Sequence, residues 1–508
     1  MKRKITNKER IIYPCICLAS SFSFATQAKD VIPVKQAKPN IIFILADDLG
    51  WGDTQLYGST KLYETPNVMR FAERGITFNN AYSSGPMCSP SRGAIMSGLN
   101  PARTGLLDAA GHLEVVRLKA EMPANPAGPA WNRSASPASA TRLDTSYTTL
   151  AEELRSYGYA TGHFGKWHLG REPYDPLHQG FDVDLPHYSG CCQPPGGYFA
   201  PWKWTPEVTY DQGKPGEFID DRMASEVIRF MAKNKDKDKP FFCNWWTYSI
   251  HGGPQTTPAL QKKYEKKIAS LPTDYPQRHP LTAGLVEEWD AAIGKVLNAI
   301  DSLGIANNTI IVLGSDNGGW VWPSGKLKDV NMSSNAPLRS GKSSIYEGGT
   351  RVPLVIIWPG HVKPGSKTDA IFTGTDFYPT LLAMIDKKPR PGAALDGVNQ
   401  VPALLGESGS REVICYIPFP GRDYNGPGAW VRKGDWKLLV RFDRNNDFSD
   451  KLELFNLKED VGENNNLAST YPHKAHELEK ILREQLKGYK AVLPVKNPKF
   501  DPKAEVPN

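Results

Sequence analysis

The stretch of sequence that decides the fold is Asn40-Ile41-Ile42-Phe43-Ile44-Leu45-Ala46-Asp47-Asp48, an apolar run that ends in two carboxylates. A strand that is apolar at every position is buried on both faces, which is typical of parallel sheets in α/β proteins. A second run of this kind, residues 309–314, ends in Ser315-Asp316-Asn317-Gly318-Gly319. The two runs predict two central strands with oxygen-bearing side chains at their carboxyl ends.

Helical and extended patterns alternate around these two strands. Thr149 and Glu152 form the pattern of a capping box at the start of a short helix. A long amphipathic helix is predicted for residues 282–303, with further strands near 159–165 and 352–358. This repetition of strand, helix and strand predicts an α/β fold, with a large mixed, mostly parallel sheet between helices.

The composition changes twice further along the chain. Residues 108–144 are rich in Ala, Pro, Ser and Gly without periodicity, which indicates a long loop of the kind that is often functional. Beyond residue 400 the long elements give way to short strand patterns and one amphipathic helix. The short strands are predicted at 412–417, 429–432, 436–442 and 452–456.

These changes divide the chain into parts. Residues 38–400 are predicted to form the catalytic domain, and residues 401–492 a smaller α+β subdomain with an antiparallel sheet and a helix. The tail, residues 493–508, is rich in Pro and Lys and is predicted to be loosely held.

The N-terminus has the pattern of a secretory signal. Five basic residues lie among the first ten, an apolar stretch runs to about residue 25, and small residues end the pattern near residue 28. The apolar stretch is too short to span a membrane, and no small-residue lipobox precedes Cys15 or Cys17. We expect residues 1–28 to be removed on export to the periplasm or the medium, with no stable membrane anchor.

Most of the positive charge belongs to this signal. Without residues 1–28 the formal net charge falls from +7 to +3, because five basic residues and one glutamate are lost. A surface that is nearly balanced in charge does not indicate a nucleic-acid partner, and none is expected.

The cysteines of the mature chain are odd in number. They are Cys88, Cys191, Cys192, Cys243 and Cys415. In an exported protein at least one of the five stays outside an intramolecular disulfide, and Cys88 is our candidate. The adjacent Cys191 and Cys192 could pair with each other, pair with Cys243 or Cys415, or stay free.

Asp47 and Asp48 follow the first central strand, and Asp316 and Asn317 follow the second. Ligands bind at the carboxyl ends of strands in open α/β sheets, and carboxylate and amide oxygens suit a hard cation such as Ca²⁺. Each pair alone could also be an ordinary turn. Together they predict a Ca²⁺ site.

Cys88 lies two residues before Pro90 and four before Arg92. Proline suits the first turn of a helix whose free N–H groups face an anion, and arginine can bind a tetrahedral oxyanion through two hydrogen bonds. A buried inert thiol is the alternative interpretation.

Basic side chains follow other predicted strands. They are Lys166, His168, His251 and Lys342. Each alone could be an ordinary surface or hydrogen-bonded residue. Beside a metal and Arg92, they indicate a site for an anionic ester whose leaving oxygen a His or Lys protonates.

With these residues in place, the chain closely resembles the formylglycine-dependent sulfatases of the alkaline-phosphatase-like superfamily from residue 40 to about residue 466. The segments that carry the resemblance are Cys88-Ser89-Pro90-Ser91-Arg92, Gly165-Lys166-Trp167-His168-Leu169-Gly170, Ser315-Asp316-Asn317-Gly318-Gly319, Lys342 with Tyr346-Glu347-Gly348-Gly349, and Leu452-Glu453-Leu454-Phe455-Asn456-Leu457 with Glu459-Asp460.

The resemblance implies a role for each site residue. Cys88 would be converted by a maturation enzyme to formylglycine (3-oxoalanine), whose hydrate is the nucleophile. The Ca²⁺ ligands would be Asp47, Asp48, residue 88, Asp316 and Asn317. Arg92 would orient the hydrate, and His168 would hold its second hydroxyl. Residues that would contact the sulfate or the leaving oxygen are Lys166, His251, Lys342 and, by a looser match, Ser189.

One departure from the family pattern concerns His251, because two residues instead of one separate it from Pro254. The resemblance also implies an exported sulfatase acting on a sulfated carbohydrate. A rim for sugar stacking could come from the loop at 108–144 with Tyr188, Tyr198, Trp202 and Trp204, which could equally be ordinary packing residues. Two alternatives remain, a phosphonate monoester or phosphodiester hydrolase of the same fold and a catalytically silent glycan-binding relative.

Overall fold

In the computed structural model the apolar run at residues 40–46 is a central strand of an eight-stranded sheet. The structure describes residues 38–506 except 236, 238, 408, 410, 422–425 and 446, so the predicted signal at residues 1–28 lies outside the described residues. The strands of the large sheet are β1 (Asn40–Ala46), β2 (Ile76–Tyr82), β3 (Ala160–Gly165), β4 (Val183–Leu185), β5 (Phe241–Trp246), β6 (Thr309–Ser315), β7 (Leu354–Ile357) and β8 (Ser366–Thr373).

The order of the strands is β8-β2-β7-β6-β1-β5-β3-β4. Strand β7 runs antiparallel to both of its neighbours, and the other neighbouring pairs are parallel. The prediction of a mixed, mostly parallel sheet is therefore confirmed. Ala46 lies opposite Ser315, and Gly165 lies opposite Trp246. The segments that follow β1, β3, β5 and β6 consequently leave the sheet at the same edge.

Both faces of the sheet are covered. On β1, Ile42 and Ile44 pack into one hydrophobic layer, whereas Ile41, Phe43 and Leu45 pack into the other. Every residue of β1 is buried, which explains why its sequence is apolar without alternation.

Helices cover the two faces of the large sheet, and the last helix of the chain packs elsewhere. The longer ones are α1 (Pro66–Arg74), α2 (Cys88–Ser97), α3 (Leu150–Ser156), α4 (Ile219–Lys235), α5 (Pro258–Ala269), α6 (Pro280–Ser302), α7 (Phe377–Ala383) and α8 (Pro472–Gly488). Single turns lie at Trp51–Asp53, Gln55–Tyr57, Pro101–Thr104, Pro176–Gln179, Ala306–Asn308, Glu347–Thr350, Gly374–Asp376 and Val401–Leu404. Among the residues the structure describes, no helix combines the length and the apolar character that crossing a membrane requires.

The predicted helix boundaries need small corrections. The capping box of α3 is present, with Thr149 accepting from the backbone of Glu152 and Glu152 accepting in return. Helix α6 begins at Pro280, two residues before the predicted start. His279 caps it, because its Nδ1 accepts the Thr282 N–H at 3.1 Å. Proline at the first helical position needs no N–H partner, so it fits this start.

The short strands beyond residue 400 form a separate antiparallel sheet. They are β9 (Glu412–Ile417), β10 (Gly428–Lys433), β11 (Trp436–Arg441) and β12 (Lys451–Asn456). Helix α8 covers one face through Leu478, Leu482 and Leu486. All four strands and the helix were predicted from the sequence. The domain boundaries remain predictions, and residues 38–508 form one compact unit.

The prediction of a loosely held tail is wrong for its first residues. Val495–Lys496 pairs with Ser134–Ala135 in a short antiparallel ladder. Asn497 is buried and its Nδ2 donates to the carbonyl oxygens of Pro129 and Asn132. The loop at 108–144 has little regular structure, as predicted. Backbone carbonyl oxygens of this loop accept the hydrogen bonds that hold the start of the tail.

Two further strands form a hairpin near the site. They are Pro323–Ser324 and Leu327–Asn331.

Candidate active site

The structure brings the predicted site residues together at the carboxyl edge of the large sheet. Asp47 and Asp48 follow β1, Lys166 follows β3, and Asp316 and Asn317 follow β6. Because β6, β1, β5 and β3 are parallel and follow one another in the sheet, residues distant in sequence become neighbours at this edge. Asp48 and His168 have positive φ angles of 64° and 61°, which turn the chain sharply after each strand.

Arg92 ties the two central strands together. It lies on α2 and is fully buried. Its Nε donates to Asp316 Oδ2 at 2.9 Å, its Nη2 lies 2.8 Å from the same oxygen, and its Nη1 donates to the Lys166 carbonyl oxygen at 2.7 Å. Asp47 Oδ1 lies 3.5 Å from Nη2. Arg92 therefore holds two carboxylates and one strand end in fixed positions.

Two lysines approach the aspartates from opposite sides. Lys166 Nζ lies 2.7 Å from Asp47 Oδ2, and Lys342 Nζ lies 2.7 Å from Asp48 Oδ1. Burial raises the pKa of Asp48, but Lys342 and the other nearby cations outweigh it and hold this pKa below its ordinary value. Asp48 is therefore ionised although it is buried.

His251 joins this group despite the extra residue before Pro254. Its Nε2 lies 3.2 Å from Lys342 Nζ and 3.7 Å from Asp48 Oδ2. Because an ammonium group can only donate, Nε2 accepts this hydrogen bond. Burial, reinforced by Lys342, lowers the pKa of His251 well below its ordinary value, so its ring is neutral.

Cys88 lies at the centre of these side chains, at the first residue of α2. Its Sγ is 3.3 Å from Lys342 Nζ, 3.4 Å from Lys166 Nζ and 3.5 Å from Asp47 Oδ1. Burial raises the pKa of the thiol to about 12, although both lysines oppose this shift. A thiol that stays protonated at neutral pH is a poor nucleophile.

The oxygen ligands expected for a cation fit together. Ligand atoms of Asp47, Cys88 and Asp316 lie within 4.8 Å of one another, as do those of Asp48, Cys88 and His251. Asn317 donates through Nδ2 to Asp48 Oδ1 at 2.8 Å, whereas its Oδ1 is buried and has no hydrogen-bond partner among the described residues. Three buried carboxylates together with a buried, unpartnered amide oxygen suit a hard cation such as Ca²⁺.

His168 has a partner that the sequence did not reveal. Its Nε2 lies 2.9 Å from Nδ1 of His112, which belongs to the loop at 108–144. The other ring nitrogen of His168 is buried without a hydrogen-bond partner in the part of the chain that the structure describes. The compositional signal pointed to this loop as functional, but no motif singled out His112.

A cavity of about 330 Å³ opens above Cys88. The predicted residues that line it are Cys88, His168, His251 and Lys342. The other lining residues are Met87, Asp108, Ala109, His112, Cys191, Cys192, Trp320, Ser343, Ile417, Phe419 and Pro420. Three of these follow or end β9, so the second sheet contributes to the cavity. Cys191 and Cys192 are bonded to each other, and Cys243 and Cys415 are buried free thiols.

The structure does not place every candidate in this cavity. Ser189 lines an adjacent cavity of about 680 Å³, which shares His112 and Cys191 with the first. Tyr198 and Trp202 are fully buried in a core layer, so the expectation that they stack on a sugar is wrong. Tyr188 lines the adjacent cavity, and Trp204 packs against Tyr188 and Trp202. For Tyr198 and Trp202 the alternative interpretation, ordinary packing, is therefore correct.

Two family models match this chain. The family model described as Sulfatase matches residues 39–387, which include every predicted site residue. The model described as the C-terminal part of N-sulphoglucosamine sulphohydrolase matches residues 340–491.

Individual proteins are also similar to this chain. The N-acetylgalactosamine-6-sulfatase of Homo sapiens is 31% identical over 74% of this chain and 68% of its own length. The N-acetylgalactosamine-6-O-sulfatase of Bacteroides thetaiotaomicron is 29% identical over 88% and 92%. The crystal structure of Ps i-CgsB in complex with k-i-k-neocarrahexaose is 26% identical, with a TM-score of 0.69 over 89% of this chain and 93% of that chain. The chain belongs to the sulfatase family of the alkaline-phosphatase-like superfamily and is a sulfuric ester hydrolase.

Proposed function

We propose that this sulfatase is an exported enzyme that removes sulfate from a carbohydrate with the help of Ca²⁺ and a formylglycine formed from Cys88. The observation that carries the proposal is the position of Cys88, whose Sγ lies within 3.5 Å of two lysine ammonium groups and one carboxylate oxygen. Sulfate esters carry their negative charge on several oxygens, and preorganised cations stabilise such charge in a site that excludes water.

Asp47, Asp48, Asp316 and Asn317 would hold the Ca²⁺, together with residue 88. The unpartnered Asn317 Oδ1 supports this assignment, because a buried amide oxygen is rarely left without a donor or a cation. The ion would supply two positive charges beside the sulfate oxygens. Around residue 88 three carboxylates face three permanently charged basic side chains, so their charges cancel and the ion would make the site attractive to an anion.

Conversion of Cys88 is supported by the state of its thiol. With a pKa of about 12 the thiol is protonated at neutral pH, and Lys166 and Lys342 do not overcome its burial. An aldehyde hydrate would supply a hydroxyl for attack on sulfur and a second hydroxyl from which the aldehyde can form again. A formylglycine-generating maturation enzyme would be the required partner.

The side chains around residue 88 suit different tasks. Arg92 is held by Asp316 and can orient residue 88 from within its own helix. The buried, unpartnered Nδ1 of His168 can hold a hydroxyl of the hydrate. Lys342 donates to His251 Nε2 at 3.2 Å, so Lys342 can bind sulfate and give a proton to the leaving oxygen while His251 holds this lysine in place.

A carbohydrate substrate is supported by the cavity and by the relatives. The cavity is lined by apolar side chains, including Trp320 and Phe419, together with the basic side chain of Lys342. Aromatic and polar groups in one pocket suit a sugar that carries a sulfate. The human and Bacteroides relatives are named for N-acetylgalactosamine-6-sulfate, and Ps i-CgsB binds a neocarrahexaose.

The test compares two preparations of the mature protein, made with and without a formylglycine-generating enzyme. Mass spectrometry of the peptide with residue 88 measures conversion, and turnover is compared on an aryl sulfate, a phosphodiester and a panel of defined sulfated saccharides. We expect sulfate release only from converted protein, and fastest from a saccharide. A preference for the phosphodiester would favour the alternative hydrolase. Full conversion without turnover on any ester would favour a glycan-binding protein.

Export is tested separately. N-terminal sequencing of protein recovered from the periplasm or medium of the producing cell should begin near residue 29. An intact N-terminus on protein confined to the cytoplasm would refute this part of the proposal.

A further inference from the structure

His112 touches the site without belonging to any motif that predicted the site. Its Nδ1 lies 2.9 Å from His168 Nε2, and the two rings lie 5.1 Å apart between centroids. His168 is 1% exposed, whereas His112 is half-buried and lines both the site cavity and the adjacent cavity. The pair thus connects a deeply buried ring with one that water can reach.

The loop that carries His112 is built to fix this contact. Ser89 Oγ donates to the His168 carbonyl oxygen at 2.8 Å and accepts the Gly111 N–H at 3.2 Å. A Cβ on Gly111 would lie 1.8 Å from that carbonyl oxygen, so only glycine allows the approach. Arg142 donates to the carbonyl oxygens of Gly111 and Leu113, on either side of His112. His112 is therefore held on both sides.

The hydrogen bond between the two rings decides where His168 carries its proton. Burial, reinforced by Lys166, lowers the pKa of His168 well below its ordinary value, and burial also lowers the pKa of His112. Both rings are therefore neutral, and each has one N–H. If one ring nitrogen donates the hydrogen bond, the other ring nitrogen has no proton and can only accept, and the reverse also holds. Proteins set the tautomer of a functional histidine in this way.

The surrounding charge selects one of the two arrangements. Lys166, Arg92 and Lys342 all act on His168 as positive charges. A lone pair on the unpartnered Nδ1 is favoured by this positive potential, whereas an N–H there would be repelled and left without an acceptor. In that arrangement His168 would carry its proton on Nε2, and His112 Nδ1 would accept the hydrogen bond.

We propose that His112 is a positioning residue that fixes His168 as the Nε2–H tautomer and so keeps its buried, unpartnered Nδ1 as a hydrogen-bond acceptor. The inference rests on the proposed function, because it assigns a purpose to the acceptor. An acceptor at this position can hold a hydroxyl on residue 88 by taking its hydrogen bond, which the opposite tautomer could not do.

The first test needs no activity. In protein whose Cys88 has not been converted, ¹⁵N NMR of the imidazole rings reports the tautomer, and His168→Asn assigns the signals. We expect wild-type His168 to be neutral with a protonated Nε2. His112→Leu should give a mixture of tautomers, and His112→Asn, whose Oδ1 can accept from Nε2, should restore the wild-type pattern. A wild-type pattern in His112→Leu, or an Nδ1–H tautomer in the wild type, would overturn the proposal.

The second test uses converted protein. His112→Leu should lower kcat by about ten- to a hundredfold with little change in KM, and His112→Asn should recover most of the loss. His361→Ala, at an exposed histidine that stacks on Trp358, is the control and should leave kcat unchanged. A rise in KM alone would indicate substrate binding instead, and a loss that Asn does not rescue and that accompanies a lower Tm would indicate a structural role. Either result contradicts positioning.

If converted wild-type protein hydrolyses no sulfate ester, the proposed function fails, and the NMR test still decides on the His112–His168 pair.

Discussion

Two clusters of buried charge lie on opposite sides of the segment that carries Lys342 and Glu347. The site cluster consists of Asp47, Asp48, Arg92, Lys166, Asp316 and Lys342. The inter-sheet cluster consists of Tyr82, Glu347, Arg351, Arg432, Lys437 and Glu463, and it joins the large sheet to the antiparallel sheet. Both are almost completely removed from solvent.

The clusters differ in what completes them. In the inter-sheet cluster both oxygens of Glu347 accept hydrogen bonds, from Lys437 on one side and from Tyr82 and Arg351 on the other. The site cluster instead surrounds Cys88, borders a cavity and leaves Asn317 Oδ1 without a partner among the described residues. Glu463 Oε1 also makes no hydrogen bond among the described residues, but it lies 2.9 Å from Lys437 Nζ and is paired with that cation, whereas the proposed Ca²⁺ would be the partner of Asn317 Oδ1 in the site cluster. Substitutions in the inter-sheet cluster should therefore lower stability, whereas substitutions in the site cluster should lower activity.

The largest effect is expected for Cys88→Ala, which removes the precursor of the nucleophile. Turnover of an aryl sulfate should fall by about 10³-fold or more, while the free energy of unfolding should change by only about 1 kcal/mol. Enzyme kinetics and chemical denaturation of the same preparation measure both. Cys243→Ala is the matched control, because Cys243 is also a buried free thiol but lies inside β5. It should keep full turnover. Substantial activity in Cys88→Ala would contradict the assignment of the nucleophile.

In the inter-sheet cluster we expect the opposite result, a large loss of stability with no loss of turnover. Lys437→Met leaves Glu347 and Glu463 buried without their shared cation, which lies 2.8 and 2.9 Å from them. Breaking a buried ion pair in this way costs about 3–5 kcal/mol of unfolding free energy, whereas kcat of the folded protein should be unchanged.

The control for Lys437 is Lys433→Met, at a half-buried lysine on the neighbouring strand β10 that pairs with Glu412 near the surface. Denaturation curves should show no measurable change for it. If Lys437→Met left stability intact but abolished turnover, the two clusters would not be separate in function.

Added Ca²⁺ should raise thermal stability through the site cluster and not through the inter-sheet cluster. This effect is expected to be smaller than the two effects above. A ligand at a hundred times its Kd stabilises the folded state by about 2.7 kcal/mol, so added Ca²⁺ should raise the Tm of the wild type. Asn317→Ala removes the unpartnered oxygen and should raise the Ca²⁺ concentration needed by about tenfold or more. Lys437→Met should start from a lower Tm and show the same increment with Ca²⁺. An increment that is unaffected by Asn317→Ala would place the ion elsewhere.

The site cluster was predictable from the sequence to a degree that the inter-sheet cluster was not. Asp47 and Asp316 follow apolar runs long enough to identify as buried strands, and parallel neighbouring strands end at one edge. His251 was found although its spacing departs from the family pattern. The strands β9 to β12 were also found, because their turns and apolar patterns are local.

Contacts that depend on one loop reaching across the fold could not be predicted. His112 lies in a segment without periodicity, and its contact with His168 depends on the close approach of Gly111. Tyr198 and Trp202 have the composition of a sugar-binding rim but are buried in a core layer, which no local pattern distinguishes. The tail was misjudged for the same reason, since its partner Ser134–Ala135 is remote in sequence.

The smallest effect concerns protonation in the inter-sheet cluster. Burial raises the pKa of Glu463 from about 4.5 to about 7, with Lys437 opposing the shift and Glu347 adding to it. Between these two values the folded state binds more protons than the unfolded state, so the free energy of unfolding falls as pH rises from about 4.5 to about 7. Glu463→Gln cannot ionise and should lack this slope. Its stability relative to the wild type should therefore increase with pH across that window.

Denaturation of both proteins at several pH values measures this difference, and Glu484→Gln, at an exposed position on α8, should run parallel to the wild type. A constant difference between Glu463→Gln and the wild type would mean that Glu463 is ionised throughout. Two carboxylates would then face Lys437 with no proton to relieve them. The inter-sheet cluster would in that case depend on its remaining cations, Arg351 and Arg432, for charge balance. A difference that grows with pH would instead show that the inter-sheet cluster changes its own charge by binding a proton within the folded protein.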